Sequence, residues 1–218
     1  MATTVVTISA PFGAGGSVIG PLVAGRLGIP FVDRAIPAAV AKELAVPLDR
    51  ALSHDQQLPS GIVRVLSKMA NSMIPYGTSP VGAVADTDAE DVFRAGTEKV
   101  IHEVADRTGG VILGRAAAIV LAQHPSALHV RLQGPHEGRL AAALLRGGIS
   151  RDAAAKLMED TDRARVAYVK HFYRADPRDA RLYHLVIDTT VFPDDVCADL
   201  IVTAAHARAS ASGTPRPS

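Results

Sequence analysis

VVTISAPFGAGGSVIG, residues 5–20, opens as a continuous apolar run, breaks into glycines and resumes with residues that suit a helix. A buried strand, a glycine-rich turn and a helix start together build a phosphate-binding loop. Laid on the pattern G-x-x-x-x-G-K-[ST], the four defining positions fall on Ala10, Gly15, Gly16 and Ser17. The second glycine and the hydroxyl match, and a glycine stands where the lysine belongs. The motif's parts are physically separable. Successive amides over Gly13, Ala14, Gly15, Gly16 and Ser17 can form an anion-binding concavity at a helix N-terminus without any lysine. Ser17 can reach a magnesium ion carried by a nucleotide. The missing part is a cation at the outer phosphates, which another residue must supply.

The same glycines half-match a rival motif. Gly13 and Gly15 fit the dinucleotide fingerprint G-x-G-x-x-G, but its third position is Val18. Asp33 lies 20 residues beyond Gly13, where a ribose-binding acid is expected. A Rossmann-type NAD(P)-binding oxidoreductase therefore stands as a third reading.

Composition narrows the field. The chain has 218 residues, 48% hydrophobic and 21% charged, which suits one sizeable α/β domain. A net charge of +1 argues against a nucleic-acid-binding face, so any basic site is local. The single cysteine, Cys197, sits in an apolar pattern and reads as a packed thiol. Without a secretory pattern or a membrane-length apolar run, the expectation is a cytoplasmic protein with no membrane partner.

Five short apolar segments read as strands: 4–9, 30–33, 110–114, 127–133 and 184–188. Three of them are continuous rather than alternating apolar runs, which suits a parallel sheet covered on both faces. Between them, residues 89–107 place Val92, Phe93, Val100, Ile101 and Val104 on one helical side. Residues 192–208 do the same with Val196, Cys197, Leu200 and Ile201, behind Asp194 and Asp195 at the N-terminus. The stretch 34–88 breaks this rhythm and reads as a helical insert, with Ile62, Leu66, Met69 and Met73 as a core stripe. Its apolar character also offers a surface for homo-oligomer formation. Residues 207–218 read as a disordered tail beyond a single domain spanning 1–206.

Residues 150–181 concentrate arginine in an otherwise near-neutral chain. As a helix from Ser150, they put Leu157, Thr161, Ala164, Tyr168 and Phe172 on one face. Arg163, Lys170 and Arg174 recur as a cationic stripe on another, with Arg165, Arg178 and Arg181 beside it. A solvated helix face would look the same. A lid closing over a phosphate site could instead supply the charge that Gly16 withholds. Arg115 follows the strand VILG, at the sheet edge where α/β proteins bind ligands. Asp33 and Arg34 end the second strand at that edge. Asp188 ends the last one, as a magnesium-shell carboxylate or as a cap through DTT.

With these residues assembled, the chain resembles the cytidylate kinase-like family of P-loop proteins. TISAPFGAGG, LGIPFVDR, GGVILGRAA, GISRDAAAKLMEDTDRARVAYVKHFY and YHLVIDTT carry the likeness, over roughly residues 4–204. The resemblance implies a P-loop nucleoside kinase-like three-layer α/β sandwich. It has a five-stranded parallel sheet, a helical acceptor insert at about 34–88 and an arginine-bearing lid at about 150–181. It implies an ATP-dependent phosphotransferase using Mg2+ with ATP, a nucleotide donor and a nucleoside monophosphate or similar small acceptor. Gly13, Ala14, Gly15, Gly16, Ser17, Lys170 and Arg174 would bind donor phosphates, and Asp33 and Arg34 the acceptor. Arg115, Arg163 and Arg165 would be catalytic, and Ser17 would meet the metal through the nucleotide. Members of the family usually read FGSGG here, so glycine in place of lysine is a family habit. The chain departs from the family at Ala10, Pro11, Ser17 and Ala116, each in place of a polar group. A catalytically weakened nucleotide-binding regulatory protein is therefore the alternative.

Overall fold

A computed structural model describes residues 3–32, 86–148 and 150–211 of the chain. The elements are β1 (Val5–Ser9), α1 (Gly16–Leu27), β2 (Phe31–Val32), α2 (Asp86–Glu103) and β3 (Gly110–Leu113). They continue with α3 (Ala117–Val120), β4 (Ala127–Gln133), α4 (His136–Gly147), α5 (Arg151–Tyr173), β5 (Leu185–Asp188) and α6 (Asp194–Ala211). A π-helical turn, Val104–Thr108, joins α2 to β3, and a 3-10 turn, Ala180–Leu182, precedes β5.

The five strands form one parallel sheet in the order β2-β3-β1-β4-β5. β1 lies at its centre, with Val5, Val6, Thr7 and Ile8 all buried. Side chains on successive strand residues point to opposite faces, and the core divides accordingly. Val6, Ile8, Val111, Leu113, Leu128, Val130 and Leu132 pack beneath α1 and α6, against Ile19, Val23, Cys197 and Ile201. Val5, Ile112 and Ala127 face the other way, onto Ile101, Ala117 and Leu121. This is the three-layer sandwich expected from the sequence. The strand order also removes the dinucleotide-binding alternative, in which the second strand adjoins the first. Here β3 stands between them.

A third, smaller apolar cluster lies apart from the sheet. α4 and α5 form a helical hairpin closed by Leu140, Ala154 and Met158, and Phe12 of the glycine loop packs onto it. Ser150 caps α5, its hydroxyl accepting from Ala153 N at 3.3 Å.

Two helix faces differ from the sequence reading. On α5 the buried residues are Ala154, Met158, Ala164, Tyr168 and Val169, while Leu157 is 44% exposed. The first half of the helix packs on α4 through small residues, which rotates the stripe by one position. On α6, Val196 and Leu200 are exposed, and Cys197, Ala198, Ile201 and Ala205 form the contact face. Small side chains there let α6 pack closely beside α1. On α2, Ile101 is buried and Val100 and Val104 are half-buried; the side chains of Val92 and Phe93 lie outside the described residues. So do the stripe Ile62, Leu66, Met69 and Met73 and most of the tail, although α6 itself runs to Ala211. Among the described residues, no helix is long and apolar enough to cross a membrane.

Candidate phosphate-binding site

The turn between β1 and α1 leaves the carboxyl edge of the central strand. Gly13 and Gly15 hold φ of +79° and +75°, the left-handed region that disfavours side chains. A Cβ on Gly13 would also run into the carbonyl oxygen of Arg139. Gly15 caps α1 without a side-chain bond; its carbonyl accepts from Val18 N and Ile19 N, both at 2.9 Å, and the amides of Gly16 and Ser17 are left uncapped.

The carbonyl groups of this loop are held from behind by four side chains. Arg165 donates to Ala10 O at 2.7 Å and Arg139 to Phe12 O at 2.6 Å. Arg146 reaches Gly13 O at 3.4 Å, and the Thr189 hydroxyl reaches Ala14 O at 3.2 Å. The amides behave differently. Phe12 N donates to Asp162 Oδ1 at 2.7 Å, and Ala14 N closes a turn onto Pro11 O at 3.2 Å. The amides of Gly13, Gly15, Gly16 and Ser17 take no part in the hydrogen bonds among the described residues. Carbonyls drawn to one side, with amides left over, is the arrangement that an anion requires.

Two carboxylates hold the arginines in place. Arg139, only 12% exposed, pairs with Asp162 Oδ2 at 2.7 Å and also donates to Gly134 O at 3.1 Å. Arg165 approaches Asp162 at 3.7 Å. Arg146 bonds both oxygens of Asp194, at 3.0 and 2.9 Å, at the first turn of α6.

At Gly16, a Cβ would stand 2.7 Å from Ala10 Cβ and 3.0 Å from Leu113 Cδ1. The missing lysine is thus more than a deletion, because the space its stem would need is filled by the core. Ser17 is exposed at the start of α1. Pro21 sits inside that helix without breaking it.

The other expected residues are dispersed. Arg165 is at the loop, as described. Arg115 ends β3 in a turn where Gly114, Arg115 and Ala116 have φ of 79°, 57° and 54°. It is 6% exposed and lies within electrostatic reach of Tyr168 on α5. Burial raises the phenols of both Tyr168 and Tyr173 above their ordinary range, and the Arg115 charge partly offsets this at Tyr168. Arg163, Lys170 and Arg174 are exposed on α5 and bond nothing on the loop. Asp33 and Arg34 lie outside the described residues. Asp188 Oδ1 accepts from Thr190 N at 2.9 Å and from its hydroxyl at 2.6 Å, closing the turn before α6. Among the described residues, no group of His, Cys, Asp and Glu is arranged to hold a metal ion by itself.

Sequence reasoning passed over Arg139, Arg146, Asp162 and Thr189. Only the spacing of the first two was a usable signal. Seven residues apart in PHEGRLAAALLRGG, they share one face of α4.

A family model described as the cytidylate kinase-like family matches residues 5–191. The chain belongs to the cytidylate kinase-like family. A solved structure of an uncharacterized protein from Eubacterium ventriosum shares the fold, with a TM-score of 0.63 at 17% identity, covering 94% of this chain and 99% of that one. A shikimate kinase from Acinetobacter baumannii gives a TM-score of 0.47 at 18% identity, with 94% of each chain covered. A curated protein named uronate isomerase, from Corynebacterium glutamicum, is 32% identical over 109 residues, 50% of this chain and 21% of that protein. The chain spans about a fifth of the length of that curated relative. The architecture of this cytidylate kinase-like protein is thus shared with the Eubacterium ventriosum structure, and its family membership rests on the match over residues 5–191.

Proposed function

We propose that the protein is a phosphotransferase that takes a nucleoside triphosphate on its glycine loop and transfers a phosphoryl group to a small acceptor. One observation carries the reading: the carbonyls of Ala10, Phe12, Gly13 and Ala14 are tied back by side chains while the amides of Gly13, Gly15, Gly16 and Ser17 are spared. An anion replaces those absent partners, and the N-terminus of α1 favours its charge. Magnesium arriving with the nucleotide would neutralise phosphate charge, and the exposed Ser17 hydroxyl would help to hold it. The chain's own part is orientation. Arg165, Arg139 and Arg146 hold the loop's carbonyls so that its amides are left for the phosphates, and Arg115, buried just beyond β3, would serve the acceptor. A nucleoside monophosphate is the first acceptor class to test, on the family relationship.

The test is a coupled assay for diphosphate production with Mg-ATP and a panel of nucleoside monophosphates. A uronate joins the panel because part of the chain resembles a protein named uronate isomerase. Turnover with one acceptor class supports the reading. No turnover above background with any acceptor sinks it.

A second reading, a nucleotide-binding regulatory protein without useful catalysis, has its own observation. Arg139 and Arg146 are engaged in ion pairs, and Arg163, Lys170 and Arg174 face solvent. Calorimetry that detects nucleotide binding in a preparation with no turnover would select it.

A further inference from the structure

Asp162 belongs to the lid helix α5, yet its two oxygens contact different parts of the glycine loop's support. Oδ1 accepts from Phe12 N at 2.7 Å, and Oδ2 accepts from Arg139 at 2.7 Å. The same Arg139 nitrogen donates to Phe12 O at 2.6 Å. Phe12 is therefore gripped on both its amide and its carbonyl by one ion pair, and its ring packs on the α4–α5 cluster. Arg165, 3.7 Å from Asp162, extends the grip to Ala10 O. Asp162 is 25% exposed and Arg139 12%, so the pair is partly shielded from solvent and geometrically fixed by bonds at both ends.

We propose that Asp162 is a positioning residue that locks the lid hairpin to the glycine loop, so that lid docking and loop preorganisation are one event. This rests on the phosphate-binding reading of the loop. With the lock made, the loop's carbonyls stay turned back and its spare amides converge without reorganisation when an anion arrives. With it broken, Phe12 is free to turn, and the amides must be ordered at the expense of binding energy.

The proposal makes a prediction opposite in sign to simple electrostatics. A carboxylate near a phosphate site repels the ligand, so neutralising it ought to tighten binding. Under the lock, neutralising it loosens binding.

The experiment measures Mg-ATP binding to the full chain by calorimetry for wild type, Asp162→Asn, Arg139→Gln and the double variant. Hydrogen exchange over residues 10–17 and 134–173 runs in parallel without nucleotide. Asp162→Asn is expected to weaken ATP about tenfold, the scale of one charge-assisted hydrogen bond, with binding stoichiometry unchanged. A merely structural role would lower the folded fraction, and with it the stoichiometry, while leaving affinity per folded molecule alone. Arg139→Gln is expected to weaken ATP similarly, and the double variant little more than either, because the two residues make one unit. Exchange should quicken in both segments together. Unchanged or tighter ATP binding by Asp162→Asn overturns the proposal. So does faster exchange confined to one segment. If wild type binds no ATP, the phosphate reading falls, and the exchange result alone decides the lock: coupled quickening upholds it and an unchanged loop ends it.

Discussion

Gly16 shows how a lost motif residue can leave a positive trace. The direction in which a lysine stem would leave the backbone points at Ala10 Cβ and Leu113, so the loop closed around the absence. Gly16→Lys is therefore expected to restore nothing. Overpacking of this kind costs about 2 kcal/mol, a fall of roughly 4–8 °C in melting temperature for a chain of this size. Thermal denaturation beside an ATP-binding titration checks both halves; a variant with unchanged stability and tighter binding would contradict the steric account. The residue scale is also where the sequence was least legible. Gly13 and Gly15 announced themselves, because only a turn needs two such residues there. Arg139 and Asp162 did not, since they meet Phe12 across 127 and 150 residues and nothing local marks them as partners. Arg163 and Arg165 looked alike in the sequence, and two positions of helical rotation bring only Arg165 to the loop.

At the scale of elements, the sheet was readable and helix α5 was half readable. Strand segments picked out by apolar runs lie within a residue or two of Val5–Ser9, Phe31–Val32, Gly110–Leu113, Ala127–Gln133 and Leu185–Asp188. For β1, β3 and β4, buried on both faces, such runs have little else to be. Helix α5 was foreseen as a helix, but its packing stripe was not, because Leu157 and Met158 are adjacent and differ by one helical step. The hairpin of α4 and α5 has its own small core, which makes a specific prediction. Met158→Ala should cost about 3 kcal/mol of local stability, in the range for buried methionine truncations. Limited proteolysis should then cut first within residues 134–175 while the sheet stays intact. Cleavage starting in the sheet instead would show that the hairpin is not a separate unit.

β4 carries a different test. His129 is buried at the sheet centre, its Nδ1 2.8 Å from Thr7 Oγ1, and its ring stacks on His184 at 4.8 Å. Burial, then the neighbouring His184, with smaller contributions from Arg208 and His124, lowers its pKa to about 4. A base whose folded pKa is depressed gives up stability as the pH falls, because the unfolded chain takes the proton first. The loss begins near the ordinary histidine value of 6.5 and is complete below about 4. His184, shifted in the same direction by burial and Arg208, gives up stability with falling pH as well. Urea midpoints should therefore drop from pH 7 to pH 5 in the wild type. In His129→Gln the drop should be shallower, and an equal drop would place the acid sensitivity elsewhere.

For the whole molecule, the proposed phosphate-binding edge is assembled from distant pieces of chain. The sheet sets the height of the loop, α1 supplies its uncapped donors, and the hairpin supplies the cations, one of them held by Asp194 at the start of α6. A bound nucleotide should therefore stabilise the whole cooperative unit. At 100 times its dissociation constant, Mg-ATP should add about 2.7 kcal/mol, or roughly 5–11 °C in melting temperature. A thermal scan over a nucleotide panel reads this directly, and no shift with any triphosphate would count against nucleotide binding altogether.

The ties on the glycine loop have a consequence for biosynthesis. Residues 10–14 leave the ribosome well before the groups that fasten them, which come from positions 139, 146, 165 and 189. A nascent chain that stops short of residue 189 thus carries the loop in full without all its ties, so the finished loop arrives late in translation.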